Sequence, residues 1–143
     1  MTQENKELLL RDLCCRLPYG VALEQTYKVT VIATNTEEVL TRTIYLYSIN
    51  SLDNMTVSGI HNDGDMEICF FEEIKPYLFP LSSMTEEQKI IYGDLCYAVI
   101  RSLAWDMQAA LNELVDWLNK NHFDYRGLIP LGLANDATNK NIY

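Results

Sequence analysis

The hydrophobic pattern of this 143-residue chain changes its period twice, and these changes limit the folds that it can adopt. Up to Pro18 the apolar residues recur at helical spacing, and from Val21 to Phe71 they alternate with polar residues. The helical spacing returns after Ser83. A block of strands between helices is typical of the α+β class. We therefore predict an N-terminal helix, a four-stranded antiparallel meander and two C-terminal helices.

The first helix is predicted over residues 3–17, because Thr2 can cap its start and Pro18 with Gly20 ends it. The strands are predicted over residues 21–34, 39–49, 55–60 and 66–71. A turn at Asn62-Asp63-Gly64 favours a hairpin between the last two strands. Such a meander either stays open or curls into a small open barrel of the SH3 or Sm type, and the pattern is compatible with both.

The connector at residues 72–80 contains two prolines, so we predict a tight unpaired segment that packs on the sheet. Thr85 and Gln88 form a capping box that starts a helix at Glu86. Residues 86–120 form either one long helix or two helices with a break near residues 104–105. The predicted buried line of the first part comprises Ile91, Leu95, Val99 and Leu103.

Length and composition predict a single domain over residues 1–134, followed by a loose polar tail at 135–143. The longest apolar runs span only a few residues, which excludes a membrane helix of about 20 residues. The N-terminus is polar where a signal peptide would be basic and then apolar. We therefore expect a cytoplasmic protein that has no membrane partner.

The net charge is −9, and the basic residues are scattered. Because nucleic-acid backbones are bound by clustered lysine and arginine, direct nucleic-acid binding is not expected. The four cysteines include no CxxC pair and the chain has two histidines, so no metal site is predicted. The sequence also contains no glycine-rich phosphate loop, GxSxG or HExxH motif. We expect no cofactor and no enzymatic activity.

Three blocks of sequence resemble a family of small uncharacterised proteins from phages and mobile elements of gut anaerobic bacteria. The first is the N-terminal helix through Leu-Pro-Tyr-Gly-Val at residues 17–21. The second is Ile-Lys-Pro-Tyr-Leu at 74–78 with Pro80 and Ser-Ser-Met-Thr-Glu-Glu at 82–87. The third runs from Asp-Trp-Leu-Asn at 116–119 through His-Phe-Asp-Tyr-Arg-Gly-Leu-Ile at 122–129 to Gly-Leu-Ala at 132–134. The resemblance implies a cytoplasmic accessory protein of a mobile element and supplies no active site.

Two groups of residues are candidates for function. His122, Tyr125 and Arg126 lie in a turn with residue types used in acid–base chemistry, although such mixed turns more often hold elements together. Tyr45 and Tyr47 alternate on one face of the second strand, where they either contact a partner or are covered by a helix.

The leading hypothesis is a non-catalytic interaction protein that binds another protein. One alternative is an acidic mimic of nucleic acid that inhibits a host protein. Another is a sponge for a small signalling nucleotide, which would need a pocket lined by cationic side chains and an aromatic ring. The candidate cations are Arg42, Lys75, Arg101 and Arg126.

Overall fold

A computed structural model of the chain describes residues 1–51, 56–103 and 105–143. The helices are α1 (Gln3–Arg16), α2 (Glu86–Arg101) and α3 (Met107–Lys120). The strands are β1 (Ala22–Val31), β2 (Thr36–Ser51), β3 (Thr56–Ile60), β4 (Met66–Phe70), β5 (Ile74–Leu78) and β6 (Asn135–Asp136). The predicted α+β class, the N-terminal helix and the two later helices are confirmed. No helix in the described ranges is long and apolar enough to cross a membrane.

The strands form one sheet in the order β4-β3-β2-β1-β5-β6. Strands β1 to β4 make the predicted antiparallel meander. The sheet has six strands rather than four, because β5 pairs antiparallel with β1 and β6 pairs parallel with β5. Within the described residues β4 and β6 lie at opposite ends of this strand order, and the four-stranded barrel that the pattern also allowed is not matched exactly.

Strand β5 lies in the connector at residues 72–80. We predicted that this connector would be unpaired, because it contains two prolines. Pro76 stands opposite Leu23 of β1, and Ile74 stands opposite Gln25. The prediction was wrong because a proline is excluded from a strand only where its missing N–H would face a neighbouring strand. β6 pairs with β5 only at Tyr77 and Leu78, so the nitrogen of Pro76 has an open side to face.

One face of the sheet, here called the inner face, is covered by α1 and by the segment after α3. Leu9 and Leu13 of α1 are fully buried against it. Their partners in this core are Leu23, Ile44, Leu46, Val57, Cys69, Phe71, Ile74, Leu78, Leu128, Leu133 and Ala134. Full burial of each leucine contributes about 1.5–3 kcal/mol, so this layer supplies much of the stability.

Helices α2 and α3 are separate and form a hairpin. The capping box at the start of α2 is present, with the Thr85 hydroxyl accepting from the Gln88 N–H at 3.2 Å. The line predicted to be buried on α2 is only half-buried at Leu95 and Val99. Ile91 and Leu103 are 39% and 63% exposed, because α2 packs mainly on α3 and stands one layer outside the main core. The predicted break at residues 104–105 falls partly outside the described residues, since Ala104 is not described.

The C-terminal segment that was expected to be a loose tail packs against the outer face, the side of the sheet opposite α1. Ala137 is fully buried with Ala22 and Tyr77. The Tyr143 hydroxyl accepts from the Ala22 N–H at 3.1 Å and donates to the Tyr77 carbonyl at 2.7 Å. The last residues of the chain are therefore fixed to β1 and β5.

Candidate functional site

His122 is held in position by the way in which α3 ends. The Phe123 N–H donates to the Leu118 carbonyl at 3.0 Å, and the His122 N–H donates to the Asn119 carbonyl at 3.0 Å. These two bonds form a Schellman motif, which places one residue in the left-handed region. That residue is His122, with φ of 56°, where glycine is usual. A side chain held there costs on the order of 1–3 kcal/mol, so the surrounding contacts must maintain the conformation.

The imidazole of His122 is buried and stacks on Tyr143. Burial, together with the nearby positive charge of Arg16, lowers the pKa of His122 from 6.5 to about 4. The ring is therefore neutral at pH 7. Its Nδ1 atom is buried and has no hydrogen-bond partner among the described residues. A neutral and stacked imidazole that is 8% exposed is suited to packing rather than to proton transfer with a substrate.

A pocket of about 430 Å³ lies beside His122, between the start of α2 and the end of α3. Its lining residues are Phe79, Ser83, Thr85, Gln88, Lys120, Asn121, His122, Phe123 and Tyr143. Several of its polar groups already have partners. The Ser83 hydroxyl donates to the Pro80 carbonyl, and the Asn121 amide donates to the Trp117 carbonyl. The pocket therefore lies where several elements meet, and most of its polar groups already have hydrogen-bond partners within the protein.

Arg16 and Asp12 form a fully buried ion pair behind this turn. Arg16 Nε donates to Asp12 Oδ2 at 2.6 Å, and its Nη2 donates to the Phe123 carbonyl at 2.7 Å. One guanidinium thus binds a carboxylate of α1 and a backbone oxygen of the turn. The pair connects the N-terminal helix to the end of α3.

The other predicted residues of the turn have structural contacts. Tyr125 donates to Asn119 Oδ1 at 3.1 Å, and the guanidinium of Arg126 lies over its ring at 4.9 Å. Arg126 Nε also lies 3.5 Å from Asp12 Oδ1. Asp124 accepts from the Leu128 and Ile129 N–H groups, both at 2.8 Å. His122, Tyr125 and Arg126 therefore surround the buried contact between α1 and the end of α3.

Other chemistry-bearing groups do not converge in the described part of the chain. No group of three or more His, Cys, Asp or Glu side chains in these residues could hold a metal ion. The four cysteines are free thiols, of which Cys69 is buried, and burial raises the pKa of its thiol to about 11.

Of the cations named for a nucleotide pocket, Arg42 pairs with Glu67 and lies over the Tyr27 ring at 4.4 Å. Arg101 lies at the end of α2 beside Tyr97, and Lys75 is exposed on β5. With Arg126 in the turn, the four cations lie in four different parts of the fold.

Tyr45 and Tyr47 have different environments although they are two residues apart. Tyr45 is half-buried and packs with the C-terminal segment, in the same cluster as Tyr77 and Ala137. Tyr47 is 56% exposed and lies where β2 bulges against β3. Only Tyr47 has a ring available to a partner. The sequence was compatible with a helix that covers both rings. In the structure Tyr45 is instead covered by the C-terminal segment.

Strand β4 carries a row of exposed apolar residues that the sequence pattern did not predict. Met66, Ile68 and Phe70 are 57%, 65% and 53% exposed. Because side chains alternate along a strand, Cys69 faces the core and this row faces outward. The alternation with Glu67 and Cys69 was visible in the sequence. It would normally indicate that the larger apolar residues face inward.

The backbone of β4 is also open along one edge. The Phe70 N–H donates to Glu73 Oε2 at 3.0 Å, so it points away from β3. Residues two apart in an antiparallel strand direct their backbone groups to the same side. The N–H and C=O groups of Met66 and Ile68 therefore point to the open edge. Among the described residues, no strand pairs with that edge.

No protein-family model, curated protein or solved structure matches the chain.

Proposed function

We propose that this protein is a non-catalytic accessory protein that binds a partner protein through β4. The observation that carries the proposal is the combination of an open strand edge with a row of exposed apolar side chains. Proteins usually protect such edges with charge, proline or a covering element, and an unprotected apolar edge favours addition of a strand. Here Glu73 occupies one N–H, at Phe70, and leaves Met66 and Ile68 open.

The partner is an extended segment of another protein, which adds a strand beside β4. Its alternate side chains are apolar, because they lie next to Met66, Ile68 and Phe70. It carries a basic residue at one end, because exposed Asp63 and Asp65 lie in the turn that leads into β4. Backbone hydrogen bonds would supply affinity, and the apolar row would supply selectivity.

The contacts of the turn after α3 support a non-catalytic role. Its candidate acid–base groups are His122, Asp124 and Tyr125. His122 is neutral and stacked, Asp124 accepts two backbone N–H groups, and Tyr125 donates to Asn119. A catalytic set needs groups that converge on a substrate, and these converge on other parts of the protein. The resemblance to phage and mobile-element proteins favours a partner encoded by the host or by the same element.

The proposal is tested by selecting peptides from a display library on the purified protein and measuring their affinities. Ile68→Lys places a charge in the apolar row and should weaken binding by about tenfold or more, equivalent to about 1.4 kcal/mol. Ile32→Lys is the matched control, because Ile32 is 95% exposed in the turn between β1 and β2, outside the part of β2 that pairs with β3. It should leave the affinity unchanged.

A second measurement identifies the mode of binding. The selected peptide is synthesised with N-methyl groups at alternate residues, which remove the N–H donors needed for strand addition. Methylation in the register that faces β4 should abolish binding, whereas methylation in the other register should preserve it. Equal binding to Ile68→Lys and wild type, or insensitivity to both methylation registers, would contradict the proposal.

A further inference from the structure

Helix α2 has a second apolar side that no described part of its own chain covers. All 16 residues of α2 keep some exposure to solvent. Leu95 and Val99 face α3 and are half-buried. Ile90, Tyr97 and Ile100 are 67%, 57% and 79% exposed. A helix that is apolar on two sides is usually covered on both, and clustered exposed apolar residues mark an interaction surface.

The spacing of this side is the same when read in either direction. Ile90, Gly93, Tyr97 and Ile100 follow one another at steps of three, four and three residues. This is the repeat that brings side chains into one seam between two packed helices. An antiparallel copy of the same helix would place Ile90 opposite Ile100 and Gly93 opposite Tyr97. The large Tyr97 of one copy then meets the small Gly93 of the other. The isoleucines at the two ends of the row also meet each other.

We propose that a second copy of this chain covers this side, with the two α2 helices antiparallel about a two-fold axis that passes midway between Gly93 and Tyr97, on the side of α2 opposite Leu95. The Tyr97 ring of each copy lies over Gly93 of the other. That site is open, since no heavy atom of the described residues lies within 4 Å of a Cβ added at Gly93. A two-fold contact uses the same patch on both copies, which the symmetric spacing permits.

The charges that flank this side fit the antiparallel arrangement at its ends. Arg101 lies beside Glu87 of the second copy, and symmetry repeats the pair. One contact destabilises the dimer, because the two-fold axis brings the Asp94 carboxylates of the two copies close together.

We expect a weak dimer. Because each copy has a net charge of −9 and the interface is at the small end of the usual range, the dissociation constant should be on the order of micromolar.

Sedimentation velocity of the full chain, from about 1 μM to about 1 mM, measures the association. The wild type should shift from monomer toward dimer across this range. Gly93→Gln and Ile100→Gln should each weaken association by about tenfold or more. Leu111→Gln is the matched control, because Leu111 is 37% exposed but lies on α3. Replacing glycine also raises helix propensity, so the thermal midpoint of Gly93→Gln should not fall, which separates lost association from lost folding.

A charge reversal tests the orientation of the two helices. Glu87→Arg should weaken the dimer, because it places two arginines together, and Glu87→Arg with Arg101→Glu should restore it. A wild type that stays monomeric up to about 1 mM would overturn the proposal. So would failure of the double reversal to restore association. A dimer that is lost in Ile68→Lys but kept in Gly93→Gln would show that the copies meet at β4 instead.

Discussion

The imidazole of His122 lies nearly flat against the phenol ring of Tyr143, with ring centroids 3.9 Å apart and planes 11° apart. This contact joins the end of α3 to the C-terminal residue of the chain. The Tyr143 hydroxyl in turn bonds to the backbone of Ala22 and Tyr77. The terminus therefore connects α3, β1 and β5 and covers part of the outer face.

Tyr143→Phe should lower the free energy of unfolding by about 1–3 kcal/mol, because it removes the partner of a fully buried N–H at Ala22 and of the Tyr77 carbonyl. The measurement is urea unfolding monitored by fluorescence. Tyr47→Phe is the control, since Tyr47 is 56% exposed, and its effect should stay within about 0.5 kcal/mol. Equal midpoints for the two variants would mean that the Tyr143 hydroxyl bonds contribute no net stability.

The depressed pKa of His122 predicts a specific dependence of stability on pH. The folded protein keeps the ring neutral down to about pH 4, whereas the unfolded chain protonates it near 6.5. The unfolded state therefore binds more protons in this window, and unfolding becomes easier as pH falls. The stability that depends on a neutral His122 is fully present above about pH 6.5. Roughly 3 kcal/mol of this free energy of unfolding is lost by about pH 4.

His122→Gln removes this titration and provides the comparison. The stability difference between wild type and His122→Gln should be largest near pH 7 and should shrink as the pH falls toward 4. Urea unfolding at several pH values measures it. Parallel stability curves for the two proteins between pH 7 and 4 would show that the pKa of His122 is not depressed in the fold.

Features encoded by neighbouring residues could be predicted from the sequence. The capping of α1 by Thr2 depends on residues within one turn, and so does the capping box of Thr85 and Gln88. The β1–β4 meander follows from alternation and from the turn at Gly64. Each of these signals is local, so the identity of distant partners does not alter it.

Features that depend on distant partners could not be predicted. Strand β5 forms because β1 offers it an edge, and that overrides the signal from Pro76. Tyr143 is fixed by contacts with Ala22, 121 residues away. The row on β4 faces outward because Val57 is paired with Cys69 in the core, which sets the facing of every other residue on the strand. Alternation alone does not say which face is buried.

The buried pair of Asp12 and Arg16 predicts strong non-additivity. Arg16→Met leaves the Asp12 carboxylate buried without its main partner and should destabilise the protein by about 3–5 kcal/mol. The double variant Asp12→Leu with Arg16→Met removes both charges and should cost clearly less than the sum of the single changes. Thermal and urea unfolding of the four proteins in the cycle measure this coupling. Additive effects would mean that the pair contributes little as a pair.

Tyr45 and Tyr47, which alternate on β2, should differ in their effect on stability. Tyr45 packs with the C-terminal segment, so Tyr45→Ser should lower the free energy of unfolding by about 1–3 kcal/mol. Tyr47 is 56% exposed, so Tyr47→Ser should change stability by no more than about 0.5 kcal/mol. A loss of stability in Tyr47→Ser equal to that in Tyr45→Ser would show that both rings belong to the core.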